Sequence, residues 1–178
     1  MEKLIHTLEQ INERVGRAVA WLTLFMVLVT FMVVLLRYLF DLGWIAMQES
    51  VVYMHGIVFM LGAAYTLKHH GHVRVDIFYQ KMSARGRAWV DLLGTLFLLL
   101  PVSLFIALMS WEYVADSWAV LEGSREAGGL PGVFLLKSLI LLMPLLMLLQ
   151  GVVLMLQQLL VLRNGEPDLA DEDAEERL

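Results

Sequence analysis

Four stretches without a formal charge govern what this chain can become: Ala18 to Leu36, Val51 to Leu67, Leu92 to Ser110 and Ser138 to Leu162. The first holds 19 residues and the last 25. As helices they measure about 28 and about 37 Å, against a hydrocarbon core of about 30 Å. The longer one must tilt or protrude. The chain is 59% hydrophobic and only 17% charged, where soluble domains are about half apolar and about a quarter charged. These features predict an all-α integral membrane protein with four transmembrane helices, spanning about 18–40, 44–67, 87–111 and 131–162.

Orientation is read from the polar stretch between the second and third runs, KHHGHVRVDIFYQKMSARGRAWVD, which carries Lys68, Arg74, Lys81, Arg85 and Arg87 against Asp76 and Asp91. Short loops rich in Lys and Arg stay on the cytoplasmic side. Counted over all ends and loops, ten of the thirteen Lys and Arg share a side with this stretch, while Arg37, Arg125 and Lys137 lie opposite. Both termini are therefore expected in the cytoplasm. Residues 1–17 place Leu4, Leu8, Ile11 and Val15 at helical spacing among charges, the pattern of an amphipathic interfacial arm. Arg37-Tyr38-Leu39-Phe40 follows the first run where a signal peptide would show a small-residue cleavage site, so the run is read as an uncleaved span.

Smaller signals fill in the rest. Asp41 to Gly43 form a turn, and Trp44 and Tyr53 bracket the second span's start at headgroup level. Ser83 is a candidate N-cap for the third helix, which enters near Trp89, contains Pro101 and ends near Trp111. Glu112 to Gly129 read as a polar connection, and Pro131 suits the fourth helix's first turn. Pro144 is expected to bend that helix. Seven acids in the 164–178 tail account for the net charge of −5; this segment has too little apolar area to fold and is expected to be disordered. Without it the charge is nearly balanced, which gives no electrostatic footprint for nucleic acid.

Few residues offer chemistry. His69, His70 and His72 cluster as metal ligands can, yet the chain has no Cys and no second cluster, so no metal is assigned. His55 lies inside the second span as a haem ligand would. A bis-histidine site needs a second His in another span, and none has one; this weighs against the rival reading, a membrane-anchor subunit of a redox enzyme complex. Ionisable residues at membrane depth mark ion and substrate paths, and a self-sufficient small exporter would need one, but the span centres are free of charge. Arg37, Glu49, Glu112 and Lys137 sit instead at the outer ends, where Arg37 and Glu49 flank one turn and could pair. Gly62, Ser103 and Ala107 permit close helix approach, and Gln150 requires an interhelical hydrogen bond, within the bundle or to another membrane protein. In the central loop, Asp76 is expected to pair with Arg74, Lys81, Arg85 or a group on a partner protein, and His72 belongs to the same segment. No catalytic or cofactor-binding residue emerges, so the chain is read as no enzyme.

Arg37-Tyr38-Leu39-Phe40, then Trp44 and Glu49, then Gly62-Ala63-Ala64-Tyr65, then His72-Val73-Arg74-Val75-Asp76 resemble the small membrane subunit of tripartite ATP-independent periplasmic (TRAP) transporters, the DctQ-like proteins. Asp91-Leu92-Leu93-Gly94, Pro101, Pro131, Lys137 and Gln150 fit as well, and the resemblance covers roughly 15–162. It implies a multi-pass protein of the bacterial inner membrane. Its partners would be a large multi-span transport subunit and a periplasmic substrate-binding protein. The complex would import organic acids such as carboxylates on an ion gradient, usually sodium. The small subunit would brace the large one and help dock the binding protein, without binding substrate or ion and without a cofactor.

Overall fold

A computed structural model describes the backbone of residues 2–73 and 76–164 and the side chains of 5–73 and 77–163. Within that range all regular structure is helical, with no strand. Helix α1 runs from Glu2 to Phe40, α2 from Ile45 to Lys68, α3 from Asp76 to Tyr79, α4 from Ala84 to Gly94, α5 from Leu100 to Ala119 and α6 from Val133 to Asn164. A π-helical segment, Thr95–Leu99, joins α4 to α5, so these form one crossing of 36 residues. Four helices are thus long and apolar enough to cross a membrane: Ile5–Phe40, Ile45–Lys68, Ala84–Ala119 and Val133–Arg163.

The π segment has a local cause. The Leu100 N–H donates to the Thr95 carbonyl, five residues back, and Pro101 next in line has no N–H to offer. The missing donor interrupts the i→i−4 ladder, and a widened turn absorbs the break. Ser83 caps α4 as expected, its Oγ accepting from the Gly86 N–H at 3.2 Å. The third crossing does not end near Trp111 but eight residues later, at Ala119. Glu112, Asp116 and Ser117 are compatible with a helix once it emerges from lipid, and their polarity was no stop signal. The stop is Leu121, which adopts a left-handed φ of 46°. Leu121 N–H then bonds Trp118 O at 3.2 Å and Glu122 N–H bonds Ser117 O at 3.0 Å, the Schellman arrangement. Pro131 likewise lies two residues before α6, in the connection and not in the first turn.

Helix α6 is the hub. It packs against α1, α2 and both halves of the third crossing, and Leu139, Pro144, Gln150 and Val153 are buried along it. The expected arm and first span are one continuous helix, α1. Residues 165–178, and with them the expected disordered tail, lie outside the described residues, as do Arg74, Val75 and the Asp76 side chain.

Candidate functional site

Polar side chains gather in two layers, one at each end of an apolar bundle. The first surrounds the 120–132 connection. Gly132 lies against Tyr53, eight residues and about 12 Å along α2 from its start, so this connection descends beside the first turns of α2. Glu49 holds it there. One carboxylate oxygen accepts from the Ser124 hydroxyl and the other from the Leu130 N–H at 2.6 Å, while Ser124 N–H bonds Leu130 O at 2.9 Å and closes the loop. Glu49 is thereby fully engaged, and the expected pairing with Arg37 does not form. Arg37 is exposed, with no ion pair to any described residue.

Glu122 and Lys137 complete this layer. Lys137 Nζ donates to Glu122 Oε2 at 2.5 Å and sits 3.9 Å from the centre of the Tyr113 ring. Ser117 donates to the same carboxylate at 2.7 Å. The Lys137 hydrogen bond first, and that of Ser117 second, hold the Glu122 carboxyl below the usual carboxylate range. The pair joins the start of the connection to the first turns of α6, and Ser117 ties the same carboxylate to the last turn of α5. Glu112, expected at this boundary, is exposed inside α5.

The second layer ties the start of α1 to α2 and α6. Glu13 accepts from Lys68 at 2.7 Å and from His69 at 3.0 Å, and Gln157 donates to Glu9 at 2.6 Å. Asn12 Nδ2 donates to Gln150 Oε1 at 2.8 Å, each residue being 1% exposed. Gln150 therefore finds its interhelical partner inside this chain, and neither it nor Ser103, 5% exposed, is offered to another protein. Ala107 and Gly62 are half-buried. A Cβ on Gly62 would meet nothing within 4 Å in this chain.

The three clustered histidines diverge. His69 turns to Glu13 and lies against Tyr65, the rings tilted with centroids 4.4 Å apart, and His72 bonds the Ala63 carbonyl at 3.2 Å. Among the described residues no three His, Asp or Glu side chains converge as a metal site would require. The Tyr79 hydroxyl donates to Asp91 at 2.5 Å and pins the short α3 to α4. Two surface grooves, one of about 300 Å³ between α5 and α6 and one of about 500 Å³ beside the α1–α2 turn, are lined almost wholly by apolar side chains. Neither offers a set of donors for a carboxylate. The arrangement is one of struts and clasps rather than a pocket.

Sequence reasoning missed Asn12, Glu122 as the partner of Lys137, and Ser124 and Leu130 as the partners of Glu49. A signal for Asn12 did exist: a Gln at depth demands a polar partner on another helix, and Asn12 has the only side-chain amide on α1 that is buried.

The family described as tripartite ATP-independent periplasmic transporters, DctQ component, matches residues 26–161. A curated protein of Vibrio cholerae, the C4-dicarboxylate TRAP transporter small permease protein DctQ, is 32% identical over 88 residues. That match covers 49% of this chain and 38% of the relative, little more than a third of its length. No solved structure matches the chain.

Proposed function

The chain belongs to the DctQ-component family of tripartite ATP-independent periplasmic transporters, and from that premise we propose that it is a scaffold subunit of such a transporter in the bacterial inner membrane. In this reading it braces a large multi-span transport subunit, helps dock a periplasmic binding protein, and takes no part in binding substrate. The imported compound is an organic acid, with C4-dicarboxylates suggested by the name of the Vibrio cholerae relative, and the driving gradient is sodium. One observation carries the reading. Every ion pair seen among the described residues joins two parts of this chain at its ends, Lys68 and His69 to Glu13 and Lys137 to Glu122. Between the two polar layers the spans are left to packing. Sodium or a carboxylate crossing a bilayer needs ligands at mid-depth, and those belong to another polypeptide.

Reconstituted vesicles test this. The large subunit and binding protein, with this chain added, are expected to accumulate substrate under an inward sodium gradient, and omission of this chain should cut uptake at least about tenfold. Full uptake without it would end the scaffold reading. Measurable substrate or sodium binding by this chain alone would end the passive part of it.

Orientation is proposed on the same footing, with both termini and the 69–83 connection in the cytoplasm. The chain is free of Cys, so single replacements Gly43→Cys, Gly123→Cys and Ser83→Cys report cleanly. In intact spheroplasts an impermeant thiol reagent should label the first two and spare the third. The reverse pattern would invert the topology.

A further inference from the structure

Helix α2 faces α1 on one side and α6 on another, and its remaining side is a single line. The exposed residues of α2 are Gln48, Val52, His55 and Phe59, and no others. Their spacing of four, three and four residues is the heptad spacing by which one helix seats against another at a crossing angle of about 20°. Gly62 continues the line by three, with open space where its Cβ would be. A helix could therefore approach closely at that end.

The chemistry of the line separates a protein partner from lipid. Val52 and Phe59, 58% and 68% exposed, would be content against acyl chains. His55 would not. It lies ten residues, about 15 Å, into α2 from Ile45, and about 20 Å from the other end, so it falls within the hydrocarbon region. Its ring stacks on Phe59, with centroids 6.3 Å apart, and among the described residues none makes a hydrogen bond to it. A polar ring at this depth, exposed to lipid, is disfavoured, and polar groups in spans turn to a protein partner with complementary groups. By contrast the side chains that α1 and α5 expose at mid-span are apolar, such as Phe31 and Phe105, or are Thr23 and Thr30, whose hydroxyls already bond carbonyls of their own helix. Those faces suit lipid.

We propose that the Gln48–Val52–His55–Phe59 line of α2 is the seat of one transmembrane helix of the large subunit, and that this helix presents a hydroxyl, amide or carboxyl group to the His55 imidazole. The assignment rests on the scaffold reading, since that supplies the partner. It adds the face and the chemistry of the contact. Gly62 widens the seam for the partner backbone, and the lone imidazole fixes its register, as a single polar residue does in a coiled coil.

Photocrosslinking in membranes that co-express both subunits tests the assignment. p-Benzoylphenylalanine at Val52 or Phe59 should give an adduct with the large subunit, whereas the same probe at Phe31 or Phe105 should not. His55→Leu should lower the amount of large subunit retained on this chain by about three- to tenfold, the effect of one interhelical hydrogen bond. His55→Gln should restore most of it, and the unfolding midpoint of the isolated chain should not change in either. Adducts at Phe31 or Phe105 alone, adducts to a second copy of this chain at Val52, or a complex that co-purifies with no adduct at the line would each overturn the seam and leave the scaffold reading standing. Failure of the wild-type subunits to co-purify would remove the scaffold reading, and the seam with it.

Discussion

Gly16→Leu is expected to separate α1 from α2 and to lower the unfolding midpoint of the detergent-solubilised chain more than any other single glycine substitution. A Cβ at Gly16 would fall within the Tyr65 side chain, 2.6 Å from Tyr65 Cβ and nearer still to the ring. The conflict is with the root of that side chain, which cannot swing aside as a flexible tip would. The ring also lies against His69, tilted to it with centroids 4.4 Å apart, and His69 is in turn bonded to Glu13. Overpacking of this kind typically costs about 1–3 kcal/mol and more where backbones must move. Loss of the α1–α2 contact would release Glu13 from Lys68 as well. Two controls make the result specific. Gly94→Ala, with nothing within 4 Å of the new Cβ, should be neutral or stabilising by about 0.5–1 kcal/mol, because alanine is the better helix former. Tyr65→Ala placed in the Gly16→Leu background should recover part of the loss. A Gly16→Leu protein that unfolds with the wild type would show that α1 does not approach α2 as closely as described.

What the sequence made legible were features that a few neighbouring residues decide. Runs without charge located the four crossings, Asp41 to Gly43 the first turn, and Ser83 the cap of α4, since each depends on residues within one or two helical turns. The family likeness was legible through short motifs in a fixed order. What escaped were pairings set by tertiary structure. Glu49 meets Ser124 and Leu130, 75 and 81 residues away, while Arg37, close in sequence and opposite in charge, was the obvious wrong partner. The end of α5 escaped because Glu112 and Asp116 look like a loop to a hydropathy reading, although a helix leaving lipid accepts them.

The face of α1 escaped for a further reason. Leu4, Leu8, Ile11 and Val15 were read as an apolar stripe facing the membrane interface, which left the bundle-facing side open; the bundle buries Ile5, Asn12, Gly16 and Val19, with Glu9 between them half-buried. That stripe is rotated by one residue from the apolar one, and Ile11 is left 41% exposed. In water the apolar face turns inward. Beside a membrane apolar side chains have a favourable place outside, and the few polar groups gain by turning in to find one another. The inward stripe of α1 is thus chosen by Glu9, Asn12 and Glu13, which have partners on α2 and α6.

Among these contacts the Asn12–Gln150 bond is the one whose loss should matter most for the second layer. Both side chains are 1% exposed, so neither amide can turn to water. Asn12 Nδ2 donates to Gln150 Oε1 at 2.8 Å, and Asn12 Oδ1 has no partner among the described residues. Gln150→Met removes the acceptor and strands both ends of the Asn12 amide, at an expected loss of about 1–3 kcal/mol. Asn12→Leu removes the unpartnered oxygen along with the donor, so its loss should be smaller, near the 0.6–2 kcal/mol of an interhelical bond in a membrane. The double variant replaces both amides with apolar groups of similar size and should unfold closer to wild type than Gln150→Met alone. The order is therefore wild type, then the double variant or Asn12→Leu, then Gln150→Met. Thermal unfolding in detergent of the four proteins gives the coupling directly. Additive losses would mean the amides do not meet. A double variant as stable as wild type that still fails to assemble with the large subunit would show that the pair sets the register of α1 on α6 for the partner, beyond its share in holding the chain together.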